Sequence, residues 1–339
     1  MDNPKLFRAM ILLPFAVVLL LLGEWIFRPL WFDEALTVLE FMNLPHASDI
    51  YFQYNIPNNH ILFTLLLRGW SALVIMLTGR IGDFFLRLLP ALITLAVMAA
   101  WWRYGRRNGG PILTALILLM LVLSPAFEIY APALRGYMLS FLLITVGLGM
   151  ARRWQERGHW SSLAGYFLTA LAATAVIPSN LLAFAGIVLL LCPDSWRQLR
   201  RPSFLTLVIL PVTAFAAVYL PIFPKLLRCL ALKEGWHDGT AAVRIVYAGL
   251  VFAMLPLLLL ALAGWRKPSC RPTSPDFWAK TVLWLLPLLM LPFFHPYPFP
   301  RVFLCLWPVW LAACLPAARR AWDGLNRIAA RRWRKVLPL

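Results

Sequence analysis

The stretch Trp31-Phe32-Asp33-Glu34-Ala35-Leu36-Thr37 sets two carboxylates side by side just after a long apolar run. A carboxylate in low-dielectric surroundings, with a second acid beside it, gains basicity and can take a proton from a hydroxyl. Further along, Arg87, Arg135 with Tyr137, and Arg301 each open an apolar run. Planar guanidinium groups gathered at one level suit a phosphate. Asn59 and His60 precede another apolar run, and a helix start there would turn N–H groups toward an anion, the more so with a cationic His60. Glu128 and His295 are two more polar side chains in the same kind of position, candidates for substrate contact. Each residue also has an ordinary use. Acids suit the first turn of a helix over 34–43, Asn59 caps a helix, and a lone arginine at a span's end can simply reach for headgroups.

Those positions depend on the elements around them. The chain has 339 residues, 61% hydrophobic, with mean hydropathy +0.74. Apolar runs recur at 7–23, 60–78, 84–102, 111–127, 137–151, 161–178, 180–192, 203–222, 241–263, 281–298 and 301–318. Runs of that length predict an all-α polytopic membrane protein. Net charge +18 would suggest nucleic acid in a soluble protein, but here the basic residues fall in short clusters between apolar runs, which marks topology and excludes a nucleic-acid partner. Five cysteines without paired or ligand-like spacing argue against a disulfide framework. Lys5 and Arg8 followed by an apolar run look like a signal sequence, and without a small-residue cleavage site it reads as a retained anchor.

The run at 60–78 holds Arg68, and charge decides whether it crosses. If it does not, 22 of the 32 lysines and arginines face the cytoplasm; if it does, every later loop inverts and most of them move outside. The positive-inside rule selects the first arrangement. The expectation is therefore a single membrane domain over 1–339 with about ten transmembrane helices and both ends cytoplasmic. Residues 24–83 form a large first outer loop with juxtamembrane helices, 58–78 lies in the interface, and 316–339 is a basic cytoplasmic tail. Asp33, Glu34, Arg87, Arg135, Arg301 and four of the five histidines then share the outer face of the plasma membrane. Spans 161–178 and 203–222 carry no charge, and no span carries one near its middle. Ion-coupled transporters usually keep such groups at the midplane.

At this point the chain resembles the GT-C superfamily of membrane glycosyltransferases, on the branch with protein O-mannosyltransferases and lipid A aminoarabinose transferases. WFDEALT (31–37), PNNHILFTLLLRGW (57–70), FFLRLLPALITLAVMAAWWRYGRR (84–107), LSPAFEIYAPALRGYMLSFLL (123–143) and PRVFLCLWPVWL (300–311) are similar to family motifs in the family's order. The likeness is close over 1–190 and looser beyond.

The resemblance implies an inverting transfer of a sugar from a polyprenyl-phosphate donor to the hydroxyl of a glycolipid, glycan or protein acceptor, at the outer face of a bacterial inner membrane rich in lipids. It makes Asp33 the base and Glu34 the second acid. It assigns the donor phosphate to His60, Arg87, Arg135, Tyr137 and Arg301. The chain departs from the family at Ile61, at Val302 and Phe303, and at Ala133, where some relatives carry a second carboxylate. Glu128 is a candidate replacement, and the lost acid leaves a possible divalent cation open. Two other readings stand beside it: a flippase or transporter for lipid-linked sugars, and an inactive relative serving as an assembly subunit.

Overall fold

A computed structural model describes residues 4–56, 59–231, 259, 274–290 and 300–336. It is helical, with no strand among the described residues. In chain order the helices are α1 (Pro4–Trp25), α2 (Phe32–Leu36), α3 (Ala47–Phe52), α4 (Ile61–Thr78), α5 (Asp83–Gly109), α6 (Pro111–Val122), α7 (Pro125–Tyr130), α8 (Tyr137–Arg157), α9 (Trp160–Val176), α10 (Asn180–Leu190), α11 (Pro202–Tyr219), α12 (Phe223–Ala231), α13 (Pro275–Met290) and α14 (Trp307–Val336). Among the described residues, four helical stretches are long and apolar enough to cross a membrane: Ile61–Thr78, Asp83–Gly109, Pro202–Cys229 and Arg301–Ile328. The run at 241–263 apart from residue 259, the part of the run 281–298 after Met290, and His295 lie outside the described residues.

Two ends of the bundle can be told apart by their bonds. At one end, the Asn180 amide donates to Ser140 Oγ and to Ala173 O, both at 2.7 Å, joining the starts of α8 and α10 to the last turn of α9. The Tyr219 hydroxyl ties α11 to Thr174 there. At the other end, Arg152 donates to Asn108, the Trp154 indole N–H to Ser203 O, and Arg319 to Asn108 O. The second end also collects Arg103, Arg106, Arg107, Arg153 and Arg157. Between the ends runs one apolar core that includes Trp101, Phe141, Leu148, Phe184 and Leu311.

Sharp breaks reverse the chain where the sequence supplies them. Gly110 takes φ +86, a region closed to most side chains, and Pro111 then opens α6 at its first position. Ser124 and Pro125 stop the run at 111–127 early and start the short α7, whose cap is the Ser124 hydroxyl accepting from the Phe127 N–H. The expected helix over 34–43 begins at Phe32 and widens into a π-helical turn over Thr37–Met42. Through the described part of the basic stretch 316–339, α14 runs without interruption to Val336.

The helix α4 lies across the first end. Its 18 residues measure about 27 Å. His60, at its start, and Arg87, in the first turns of α5, both bond to the segment 132–136. The link from Thr78 to Asp83 spans at most about 18 Å, too little to return from the far end of an upright α4. Arg68 is drawn back to Leu44 O and Pro45 O, a bond that pins α4 to the preceding loop.

Candidate functional site

The site sits at the first end, on the short helix α2. Glu34 occupies the third position of that helix and accepts from the Trp31 N–H at 3.0 Å, half of a capping box. Asp33 is one residue earlier, about 100° around the helix. That rotation sends the two carboxylates to different surroundings.

Glu34 is 1% exposed. Its Oε1 accepts from Arg87 Nη1 at 2.9 Å and from the Leu134 N–H at 2.7 Å; its Oε2 accepts from Arg87 Nη2 at 2.7 Å. Arg87, 2% exposed, spends its remaining donors on Arg28 O (3.2 Å), Pro29 O (3.0 Å) and Pro132 O (3.2 Å). A guanidinium has five N–H groups, and here every one has a protein acceptor. Arg87 is thus a clamp holding the end of α1, helix α2 and segment 132–134 together, not the phosphate ligand expected for it. Glu34 is equally committed and offers no lone pair geometry for a substrate proton.

Asp33 is different. Its Oδ2 accepts from Arg301 Nη1 at 3.0 Å, with side-chain exposures of 15% for Asp33 and 20% for Arg301. Arg301 also donates to the Tyr130 hydroxyl. The Tyr130 and Tyr137 rings lie 4.6 Å apart, and Tyr137 meets the His60 ring edge-on at 5.2 Å. Asp33, Arg301, Tyr130 and Tyr137 form a quartet, partly open, that mixes a base, a cation and two phenols. Burial, then the neighbouring Tyr137, pushes the Tyr130 hydroxyl up to about 12, so it is a firm proton holder and hydrogen-bond donor at neutral pH.

Beneath the quartet lies Arg135, 2% exposed. Its Nη1 donates to Asp33 O (3.3 Å) and Thr37 Oγ1 (3.2 Å), and its Nη2 stands 3.2 Å from His60 Nε2. The Gly136 N–H donates to His60 Nδ1 at 2.8 Å. Burial, with the positive charges of Arg135 and Arg301, holds the His60 pKa well below its ordinary 6.5. His60 is therefore neutral, which corrects the expected cationic role. Asn59 is also withdrawn from substrate: its amide donates to Ile50 O at 2.7 Å and its carbonyl accepts from Thr64 at 3.3 Å, stapling α3 to α4. Glu128 is exposed on α7 and takes no part in the bonds that hold the quartet.

The structure thus brings Asp33, Arg135, Tyr137, His60 and Arg301 together and sets Glu34 and Arg87 behind them as support. Tyr130 is the member that sequence reasoning missed, although it stands in FEIYAPALRGY only seven residues before Tyr137. Among the described residues no three His, Cys, Asp or Glu side chains gather to hold a metal ion. Asp33 is engaged by Arg301 through one oxygen and Glu34 by Arg87 through both. Comparison with protein-family models, curated proteins and solved structures gave no match to this chain.

Proposed function

We propose that the protein is a membrane glycosyltransferase of GT-C type, moving a sugar from a polyprenyl-phosphate donor to an acceptor hydroxyl. The observation that carries the reading is the contrast between the two acids: Glu34 is locked, while Asp33 keeps one oxygen outside its Arg301 bond and some access to solvent. A reacting pair needs a reachable base beside a group that can hold an anion, and Asp33 with Arg301 and Tyr130 is such a pair.

In this reading Asp33 takes the proton as the acceptor oxygen attacks C1 of the sugar. The C1–O bond to phosphate breaks with inversion, and the phosphate leaves with the electron pair. Arg301, Arg135 and the Tyr130 and Tyr137 hydroxyls stabilise its charge, and such stabilisation is usually the largest catalytic contribution. Arg301 would pass from Asp33 to the phosphate as the donor arrives, freeing Asp33 to act as base. The donor and acceptor, both held at the bilayer, gain from positioning as well.

The same reading makes the site end extracytoplasmic and the arginine-rich end cytoplasmic, with about ten crossings, α4 and the loop 24–83 outside, and both termini inside. The test is release of polyprenyl phosphate by purified protein in nanodiscs, over a panel of polyprenyl-phosphate sugars, with Asp33→Asn beside the wild type. Release that needs Asp33 supports the reading. Release unchanged in Asp33→Asn, or none with any donor, rejects it.

A further inference from the structure

At the end away from the quartet, α14 changes character as it leaves the bundle. From Trp307 to Ala318 it is mostly buried. Arg319, donating to Asn108 O, marks the arginine-rich end. Ala321 is still buried and Trp322 half-buried, but from Asp323 to Ile328 no residue is buried. Leu325 is 52% exposed and Ile328 57%, so two large apolar side chains stand open there. At about 100° per residue, positions 321, 322, 325, 328 and 329 share an arc of about 120°, while 319, 320, 323 and 327 fall on the other side. Those four are Arg, Arg, Asp and Arg, all exposed. The sequence keeps both spacings to its end. Trp333 and Val336 continue the apolar one, Arg331, Arg334 and Lys335 the basic one, and Arg332 is the exception. In all, 319–336 holds seven basic residues and one acid, a net +6.

Setting the orientation of a span takes basic residues alone. It does not take an apolar stripe in register opposite them. A helix with Trp, Leu and Ile on one side and arginines on the other is the form that lies in a membrane interface. Charge selects the occupant of the open face. A second copy of the tail would bring its own +6 against this one, whereas a leaflet of anionic phospholipid offers the opposite sign. That leaflet is also where the helix emerges, since the apolar stretch Arg301–Ile328 ends at this boundary and holds the tail beside it. Two points let α14 tilt on to the surface. Pro316 has no N–H for the carbonyl four residues before it, and at Gly324 a Cβ would meet nothing within 4 Å. We propose that residues 319–336 are an anchor for an anionic phospholipid surface, with Trp322, Leu325 and Ile328 sunk below the headgroups and the arginines on the phosphates. The anchor rests on α14 spanning a membrane and not on the glycosyltransferase reading.

The test is hydrogen exchange of the full-length protein, one copy per nanodisc, in discs of phosphatidylcholine alone and of phosphatidylcholine with phosphatidylglycerol in equal parts. Both faces of a disc are open to water, so the outcome does not depend on which way the bundle points. Amides of 322–336 should exchange about tenfold more slowly in the anionic discs, within the weight of two basic residues at an anionic surface. Molar salt should remove the difference, because it cuts the reach of the charges to about 3 Å. Leu325→Glu with Ile328→Glu, both at exposed positions, should abolish the protection while the melting temperature of the bundle holds. Arg327→Ala should weaken the preference for anionic discs about fivefold, the weight of one basic residue. Equal exchange in the two discs, or protection that survives the double substitution, overturns the proposal. Slowing that needs a second copy in the disc, or an added acidic protein, overturns it too and gives the face to that partner.

Discussion

Asp33 and Glu34 are neighbours in the chain with opposite duties, and substitution should separate them. Asp33→Asn keeps shape and hydrogen bonding while removing the base. It should lower transfer by about 10²–10⁴-fold and leave the melting temperature in detergent nearly unchanged. Glu34→Ala strands a buried guanidinium that now has an acceptor for each donor. It should destabilise by about 3–5 kcal/mol, read as a large fall in melting temperature before any activity is assayed. Tyr130→Phe keeps the ring against Tyr137 and removes the hydroxyl that Arg301 engages; in the proposed reaction it should reduce turnover more than donor affinity. His60 carries a pH signature. Its folded pKa is depressed below 6.5, so its contribution is fully present above that value and is lost as pH falls, because the unfolded chain takes up a proton that the buried ring refuses. Melting temperature should drop between about pH 7 and pH 5.5, where carboxylates are still mostly ionised, and His60→Gln should flatten that drop.

Helices carry these side chains to one place through a few close approaches. A Cβ built on Gly136 would lie 2.3 Å from Val176 Cγ1 and 3.0 Å from His60 Nδ1, so α8, the end of α9 and the start of α4 meet at a glycine. Gly136→Ala should push α4 off the site and cost about 1–3 kcal/mol, with transfer falling further than stability alone explains. Much of this level was legible in advance. The run at 60–78 is the helix Ile61–Thr78, that at 203–222 covers Pro202–Tyr219, and that at 137–151 opens α8 at Tyr137. Apolar length sets such helices almost unaided. The site was legible only as a set of residues. Nothing in Asp33-Glu34 says which acid turns inward, because the choice is made by Arg87 and Leu134, 53 and 100 residues further along. The same holds for Arg87, which looked like one more outer arginine until the carbonyls of Arg28, Pro29 and Pro132 were seen to take its donors. Tyr130 was missed for a related reason: its neighbour Arg301 arrives from the far end of the chain.

For the molecule as a whole, segregation of charge between the two ends predicts orientation. Ser48→Cys, exposed in the first turn of α3, should react with a membrane-impermeant maleimide in intact cells. His159→Cys, exposed between α8 and α9, should react only after permeabilisation. The reverse pattern would turn the bundle over and put the quartet in the cytoplasm. The described cysteines stay out of the way, since Cys229, Cys305 and Cys314 are buried and Cys192 is half-buried.

The clamp on Glu34 also sets a schedule for synthesis. Its acceptors and donors come from residues 28–29, 34, 87 and 132–134, so it cannot close until the last of them has left the ribosome. At about 5–20 residues per second, Leu134 follows Glu34 by roughly 5–20 s. Through that interval α2 carries a carboxylate, and α5 then an arginine, bound for a dry interior that does not yet exist. The nascent chain must keep both wet or sheltered until the third segment arrives, which makes residues 130–136 the point at which the first half of the protein commits to its shape.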